Sequence, residues 1–388
     1  MKVTASWMQN RLKGDPIIWG VAFLLSILSI LVVYSATSSL AYRHMQGDTE
    51  YYLIKHVSLM LLSLTAMWVA HNIDYRYYGG IARLGLWCSV PLLMITWQYG
   101  LKLNEASRWL MIPVINKAFQ PGDIAQLTLI IRTVHTLAKL QKKSDEDSQT
   151  LLTLMLWIST ICALIALTNF SGAIVLFVTC MLLMFLGRVP TRYLARLSLV
   201  GLLMGIVAMG VGQRGKTVLH RLQAFRQEKL SYQTEQAYIA IATGGMYGKG
   251  PGKSTQRNFL PHPYSDFIYA ILVEEYGLIG GIGVILLYLV LLYRSIGCLG
   301  KTQRIYGGLL AAGLGFYLTL QAMIHISVAV GLGPVTGLTL PFVSMGGTSL
   351  LFTGISLGII LSVSRGELDP SIDRLGQKRR GLNRWRNE

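Results

Sequence analysis

The stretch DFIYAILVEEYGLIG, residues 266–280, opens a run of more than twenty mostly apolar residues, yet it carries three carboxylates, Asp266, Glu274 and Glu275. An apolar run of that length is the mark of a membrane-spanning helix. Acidic side chains at membrane depth are costly, and they are kept for function or for a paired structural role. The chain has only 18 Asp and Glu among 388 residues, so three at one helix mouth call for an explanation.

Outward from this stretch the same apolar pattern recurs along almost the whole chain. Hydrophobic residues make up 52% and charged residues only 14%, which excludes a soluble protein of ordinary usage. Spans are predicted near 17–37, 52–71, 79–99, 122–140, 150–168, 170–187, 193–211, 267–293, 304–330 and 347–364. The predicted fold class is therefore an all-α polytopic membrane protein of about ten transmembrane helices, with a large extracytoplasmic loop between helices 7 and 8. Residues 1–16 form a predicted N-terminal segment, 17–364 the membrane domain with 212–265 as its large outer loop, and 365–388 a basic tail. The fourth span carries Asp123, Gln126, Arg132 and His135, a polarity that predicts shielding by other helices. The first apolar run has the length of a spanning helix and no convincing cleavage site follows it, so no cleavable signal is expected. Cys88, Cys162, Cys180 and Cys298 lie in or beside apolar runs without paired spacing and read as small core residues.

The formal charge of +17 fits membrane loops facing anionic lipid better than nucleic acid. Lys2, Arg11, Lys13, Arg76, Lys139, Lys142, Lys143, Arg188, Arg192, Arg196, Arg294, Lys301, Arg304 and the tail around Lys378–Arg386 fall on one side, which is predicted cytoplasmic and holds both termini. The segment 212–265 falls on the other side although it contains Arg214, Lys216, Arg221, Arg226, Lys229, Lys249, Lys253 and Arg257. Two readings stand: a solvated loop balancing headgroups, or a site for an anionic, phosphate-bearing substrate. Its glycine run, Gly244 to Gly252 with Lys249 inside, suits a phosphate and suits a simple turn equally, and it lacks the Walker spacing. Arg108-Trp109 reads as an interfacial anchor, and Pro121 with Asp123 as a helix start. Prolines and glycines between Gly333 and Gly347 exclude regular helix, so that backbone must be covered by protein or line a wet cavity.

Four motifs in order then point to a family. RWL…FQPGDIAQL at 108–127, YQTEQA at 232–237 with GGMYGKG at 244–250, SDFIYAILVEEYGLIGG at 265–281 and GPVTGLTLPFVSMGGTS at 333–349 resemble the signatures of the SEDS (shape, elongation, division, sporulation) proteins. The run 341–365 resembles the division branch of that family more than its rod-shape branch. The resemblance implies a peptidoglycan glycosyltransferase of the bacterial cytoplasmic membrane. Such an enzyme polymerises lipid II, the undecaprenyl-diphosphate-linked disaccharide-pentapeptide, at the outer face beside a class B penicillin-binding transpeptidase and other division proteins. The chain departs from the family pattern at Gly122, Asp123 and Gln126, where Ser, Glu and Lys are usual, at His325 for Asn and at Met345 for Tyr.

Polymerisation joins a sugar 4-hydroxyl to an anomeric carbon that carries a diphosphate. A carboxylate should take the hydroxyl proton, and cations should meet the departing charge. The resemblance places the family's essential aspartate at Asp266, the one carboxylate between Glu235 and Glu274; a plain N-cap role for it is the alternative. Arg221, Lys249 and Arg108, then Lys216 and Lys253, are the candidates for the diphosphate, with Tyr232, Gln233 and Gln236 beside them for diphosphate or sugar. Glu274, Glu275, Gln321, His325 and Ser344 are the intramembrane polar residues, for which interhelical hydrogen bonding competes with a functional role. Diphosphates recruit Mg²⁺, but no ligand cluster specific to a metal is visible. Two other functions fit parts of the pattern: a lipid II flippase using Glu274, Glu275, Arg132 and His325 as a polar path, and a non-catalytic division scaffold docking partners through the tail.

Overall fold

The computed structural model describes residues 13–44, 49–103, 106–112, 117–141, 147–212, 215–227, 231–301 and 304–368. The predicted N-terminal segment up to residue 12, Lys142, Lys143 and the tail from 369 lie outside these. In chain order come α1 (Pro16–His44), α2 (Thr49–Asn72), α3 (Tyr78–Tyr99), β1 (Leu101–Leu103), β2 (Ala106–Ile112), β3 (Lys117–Phe119), α4 (Pro121–Leu140), α5 (Ser148–Thr168), α6 (Phe170–Leu186), α7 (Thr191–Val211), α8 (Gly215–Arg226), α9 (Tyr232–Gly244), α10 (Ile268–Lys301), α11 (Ile305–Ala329) and α12 (Gly347–Leu368). The ten predicted spans coincide with α1 to α7 and α10 to α12.

Eight of these helices are individually long and apolar enough to cross a membrane. The other two owe their place to packing. Helix α6 is apolar but has only 17 residues. Helix α4 is too polar by itself, and it is enclosed by α3, α5, α6, α11 and α12, so that Asp123, Gln126, Thr133 and Thr136 are buried among protein rather than lipid. Interhelical contact is close where small residues recur. Gly354 and Gly358 of α12 let the α2 backbone approach until an added Cβ would sit 2.5 and 2.3 Å from the carbonyl oxygens of Ser63 and Met67, the small-xxx-small solution to packing without a hydrophobic driving force.

Two regions depart from the sequence reading. The segment before α4 is a three-stranded antiparallel meander, β1-β2-β3, rather than wholly helix and loop. The loop between α7 and α10 is built: it contains α8, α9 and a 3₁₀ turn at Gln256–Asn258. Ser231 caps α9 by accepting from the Thr234 N–H at 3.3 Å.

Helix α10 is broken at Gly277, where φ is 70° and ψ −174°. A break in a spanning helix leaves carbonyls and N–H groups without partners, which a bilayer does not tolerate. The glycine run supplies them. Lys249 and Gly250 donate their N–H groups to the carbonyls of Glu274 and Glu275 at 2.9 and 3.0 Å, and the N–H groups of Leu278 and Ile279 donate to the carbonyls of Gly245 and Met246 at 2.9 and 3.3 Å. An added Cβ on Gly248 would meet the Glu275 oxygen at 2.2 Å, and one on Gly277 the Met246 oxygen at 2.2 Å. These glycines therefore serve backbone docking into a helix break, a use that neither sequence reading of the run, as turn or as phosphate cradle, had included.

Candidate active site

At the end of the bundle that carries the α7–α10 segment lies a cavity of about 730 Å³. Its wall combines the β2 residue Arg108, the α8 residue Arg221, Gln233 from α9, Gln321 from α11 and Asp266 just before α10. The sequence separates these groups by up to about two hundred residues; the fold collects them through one irregular strand of chain, Gly333–Thr339. Arg221 donates to the Val335 carbonyl at 2.8 Å. Arg108 donates to the carbonyls of Gly337 at 3.4 Å and of Thr168 at 3.3 Å. Gly337 has φ +67°, and a Cβ there would lie 3.7 Å from Asp266 Oδ2 and 3.9 Å from Arg108 Nη1. The carboxylate and that guanidinium thus border the same small space, and only glycine leaves it open.

Asp266 is set by its neighbours. Ser344, which is buried, accepts from the Leu340 N–H at 2.8 Å and donates to the Ser265 carbonyl at 2.8 Å. Met345 N–H donates to the Tyr264 carbonyl at 2.9 Å. Two consecutive residues before Asp266 are thereby tied to the turn that precedes α12. Helix α10 begins at Ile268, and no hydrogen bond in its first turn runs to the Asp266 carboxylate among the described residues, so the plain capping role has no geometric support. Burial, and then the Asp266 charge, push the Tyr264 phenol above its ordinary range. It keeps its proton at neutral pH and stays able to donate beside the carboxylate.

Apart from Gln321, the remaining predicted residues fall outside the cavity wall. Lys249 bonds Glu274 at 2.6 Å, and Glu274, with no exposed side-chain surface, also accepts from the Thr255 hydroxyl at 2.8 Å and N–H at 3.0 Å and from Ser254 Oγ. Lys249 is thus occupied with a buried carboxylate and stands outside the cavity wall, as do Tyr232, Gln236 and Lys253. The Lys216 side chain lies outside those described. Glu275 accepts from Ser35 Oγ of α1 and from the Ser254 N–H at 3.3 Å, and Arg257 donates to the same Ser35 hydroxyl at 2.9 Å. Gln321 donates to the Thr339 carbonyl at 3.0 Å, and His325 Nδ1 faces the Leu338 carbonyl at 2.7 Å, which requires the proton to sit on that nitrogen. Both side chains fasten the irregular segment to α11.

One cavity residue was not among the sequence's site candidates. Asp123, read as a helix start, as a polar residue to be shielded by other helices and as a departure from the family's usual Glu, lines the wall as a second carboxylate and accepts from Thr348 Oγ1 at 2.9 Å. The signal was its place in the FQPGD run. Gln126, one turn on, accepts from the Tyr317 hydroxyl, so this wall carries a neutral amide where the family pattern has an ammonium. The described residues contain no group of three His, Cys, Asp or Glu able to hold a metal ion. Asp266 and Asp123 are the carboxylates on the cavity wall among the described residues.

A bundle of ten helices, eight of them individually able to cross a membrane, with two carboxylates and two arginines on the wall of one end cavity defines a class: membrane-embedded proteins with a charged site at one end of the bundle. The chain belongs to the FtsW/RodA/SpoVE family of cell cycle proteins, whose model matches residues 15–368. It is 31% identical over 380 residues to a probable peptidoglycan glycosyltransferase FtsW of Coxiella burnetii, covering 94% of this chain and 98% of that one. It is 30% identical over 364 residues to the stage V sporulation protein E of Bacillus subtilis, covering 92% and 98%. Among solved structures, the rod shape determining protein RodA of Thermus thermophilus superposes with TM-score 0.65 at 25% identity, over 92% of this chain and 98% of that one. A chain from a peptidoglycan synthase complex shares the fold with TM-score 0.70 at 24% identity, over 91% and 98%.

Proposed function

We infer that this protein is a peptidoglycan glycosyltransferase that polymerises lipid II, with Asp266 as the general base. The observation that carries the assignment of roles is the shared space at Gly337, bordered by Asp266 Oδ2 and Arg108 Nη1. The carboxylate takes the proton of the acceptor's 4-hydroxyl as that oxygen bonds to the donor's anomeric carbon. The bond from that carbon to the lipid diphosphate breaks, and its electron pair leaves with the phosphate oxygen. Arg108 and Arg221 stay charged at any working pH, and they offset the charge that grows on the diphosphate.

The protein works in the bacterial cytoplasmic membrane, with both termini in the cytoplasm and the cavity opening to the outer face. The resemblance of its last helix to the division branch supports septal synthesis, beside a class B penicillin-binding transpeptidase. Purified protein, supplied with labelled lipid II and that partner, is expected to make polymer in detergent. Asp266→Asn should lower the rate by about 10²–10⁴, the usual worth of a general base, with its melting temperature retained. Full activity in the folded variant removes Asp266 from the chemistry. Translocation across vesicles without polymer from the parent protein assigns a flippase instead.

A further inference from the structure

Helix α2 carries a histidine, His56, whose side chain has no exposed surface. An imidazole buried between spanning helices is costly and calls for a use. Its Nε2 lies 2.9 Å from Ser29 Oγ of α1, and its Nδ1 has no hydrogen-bond partner among the described residues. The one proton of the Ser29 hydroxyl goes to the Val343 carbonyl at 2.7 Å. Ser29 must therefore accept from His56, whose proton sits on Nε2.

Ser29 differs in this from other hydroxyls of the bundle. Ser26, Thr37, Thr179 and Ser295 each donate to the carbonyl four residues back in their own helix, at 2.7–2.8 Å. That local bond competes for any serine within a helix, and for Ser29 it would run to Leu25. With the His56 N–H on its oxygen, the hydroxyl instead crosses to the turn that precedes α12. This turn is strained: Phe342 has φ +64°, a left-handed conformation that a bulky residue keeps only where its surroundings over-determine it. The carbonyls on either side of Phe342 are both held, Pro341 by the Tyr288 hydroxyl of α10 and Val343 by Ser29. The next two residues, Ser344 and Met345, bond the carbonyls of Ser265 and Tyr264. A continuous path thus runs from His56 through Ser29, Val343 and Ser344, all buried, to the residue before Asp266.

We propose that His56 and Ser29 are positioning residues for Asp266. His56 aims the Ser29 hydroxyl at the Val343 carbonyl, and that bond sets the strained turn from which Ser344 and Met345 hold the backbone before the carboxylate. The proposal rests on the reading of Asp266 as the general base, and it adds two residues that lie outside the cavity wall.

The test measures kcat and KM for labelled lipid II with the purified full chain and a class B penicillin-binding transpeptidase in detergent, and hydrogen exchange on the same variants without substrate. Ser29→Ala and His56→Leu should each lower kcat by about 10–10²-fold, the scale on which a small misplacement of a reacting group acts, with KM little changed. Exchange should quicken in both at the N–H groups of Leu340 and Met345, which bond Ser344 Oγ and the Tyr264 carbonyl. The double variant should be no slower than Ser29→Ala alone, since His56 acts through that hydroxyl. His56→Gln, whose amide can present an N–H in the place of Nε2, should recover most of the rate. Ser63→Ala removes another buried interhelical bond, from α2 to the Leu350 carbonyl of α12, and should lower the melting temperature without lowering kcat. An equal loss of kcat in Ser63→Ala would mark the effect as general loosening and overturn the proposal. Unchanged kcat or unchanged exchange in Ser29→Ala, a small change that keeps the test available if His56→Leu fails to fold, would overturn it too. No polymer from the parent protein would instead remove the glycosyltransferase reading, and the proposal with it.

Discussion

Ser344 Oγ joins the Leu340 N–H to the Ser265 carbonyl, and so fixes the backbone immediately before Asp266. Replacing it by alanine leaves a buried donor and a buried acceptor unpaired, which costs about 1–3 kcal/mol for each such group. Ser344→Ala is therefore expected to lower the melting temperature and also the polymerisation rate, because the carboxylate loses its anchor. Lys253→Gln, outside the cavity wall, should leave the rate near that of the parent, while Arg221→Gln should reduce it strongly. Rates from labelled lipid II for the three variants side by side check this ordering; equal rates for Arg221→Gln and Lys253→Gln would remove Arg221 from the site. Asp266 was legible in the sequence as an isolated carboxylate at a helix mouth within a family motif. Lys249 was not, since a lysine in a glycine run looks the same whether it meets a phosphate or, as here, the buried Glu274.

At the scale of elements the break in α10 deserves a test of its own. A side chain at Gly277 would have to adopt a positive φ and would also press on the Met246 carbonyl. Gly277→Ala should therefore destabilise the protein by more than the roughly 1–3 kcal/mol of a strained residue alone, and it should loosen the glycine run from the helix. Hydrogen exchange would show this as lost protection at Lys249, Gly250, Leu278 and Ile279, whose N–H groups bridge the two segments; unchanged protection would show that the docking does not depend on the glycine. Cutting the link between Lys249 and Glu274 should act on the same joint. Lys249→Gln is expected to cost about 2–3 kcal/mol, at or below the low end for a broken buried pair, because Lys249 is 28% exposed and Glu274 retains its hydroxyl and backbone donors. Denaturant unfolding in detergent measures it. The sequence showed that a helix began near residue 267, but not that it was interrupted, since its apolar run continues across Gly277 without a change of pattern.

For the whole molecule, the proposed orientation in the membrane is testable without substrate. In a background without native cysteines, Tyr247→Cys should react with a membrane-impermeant thiol reagent applied to intact cells, because Tyr247 is 84% exposed on the cavity side. Arg192→Cys, at the start of α7, should react only after the membrane is opened; the reverse pattern would invert the proposed topology. The eight helices that qualify as spans by their own length and composition, and their limits to within a few residues, were determined by the sequence alone, because burial in lipid selects composition over local stretches of about 20 residues. The fourth helix, the break in α10 and the membership of the cavity were decided only by the tertiary structure. Helix α4 is tolerated because its neighbours enclose it. The glycine run is a splice because four backbone groups at Gly277 need partners. Asp266, Arg108 and Arg221 line one cavity because the segment Gly333–Thr339 brings them together, through contacts between residues far apart in the chain that local composition cannot encode.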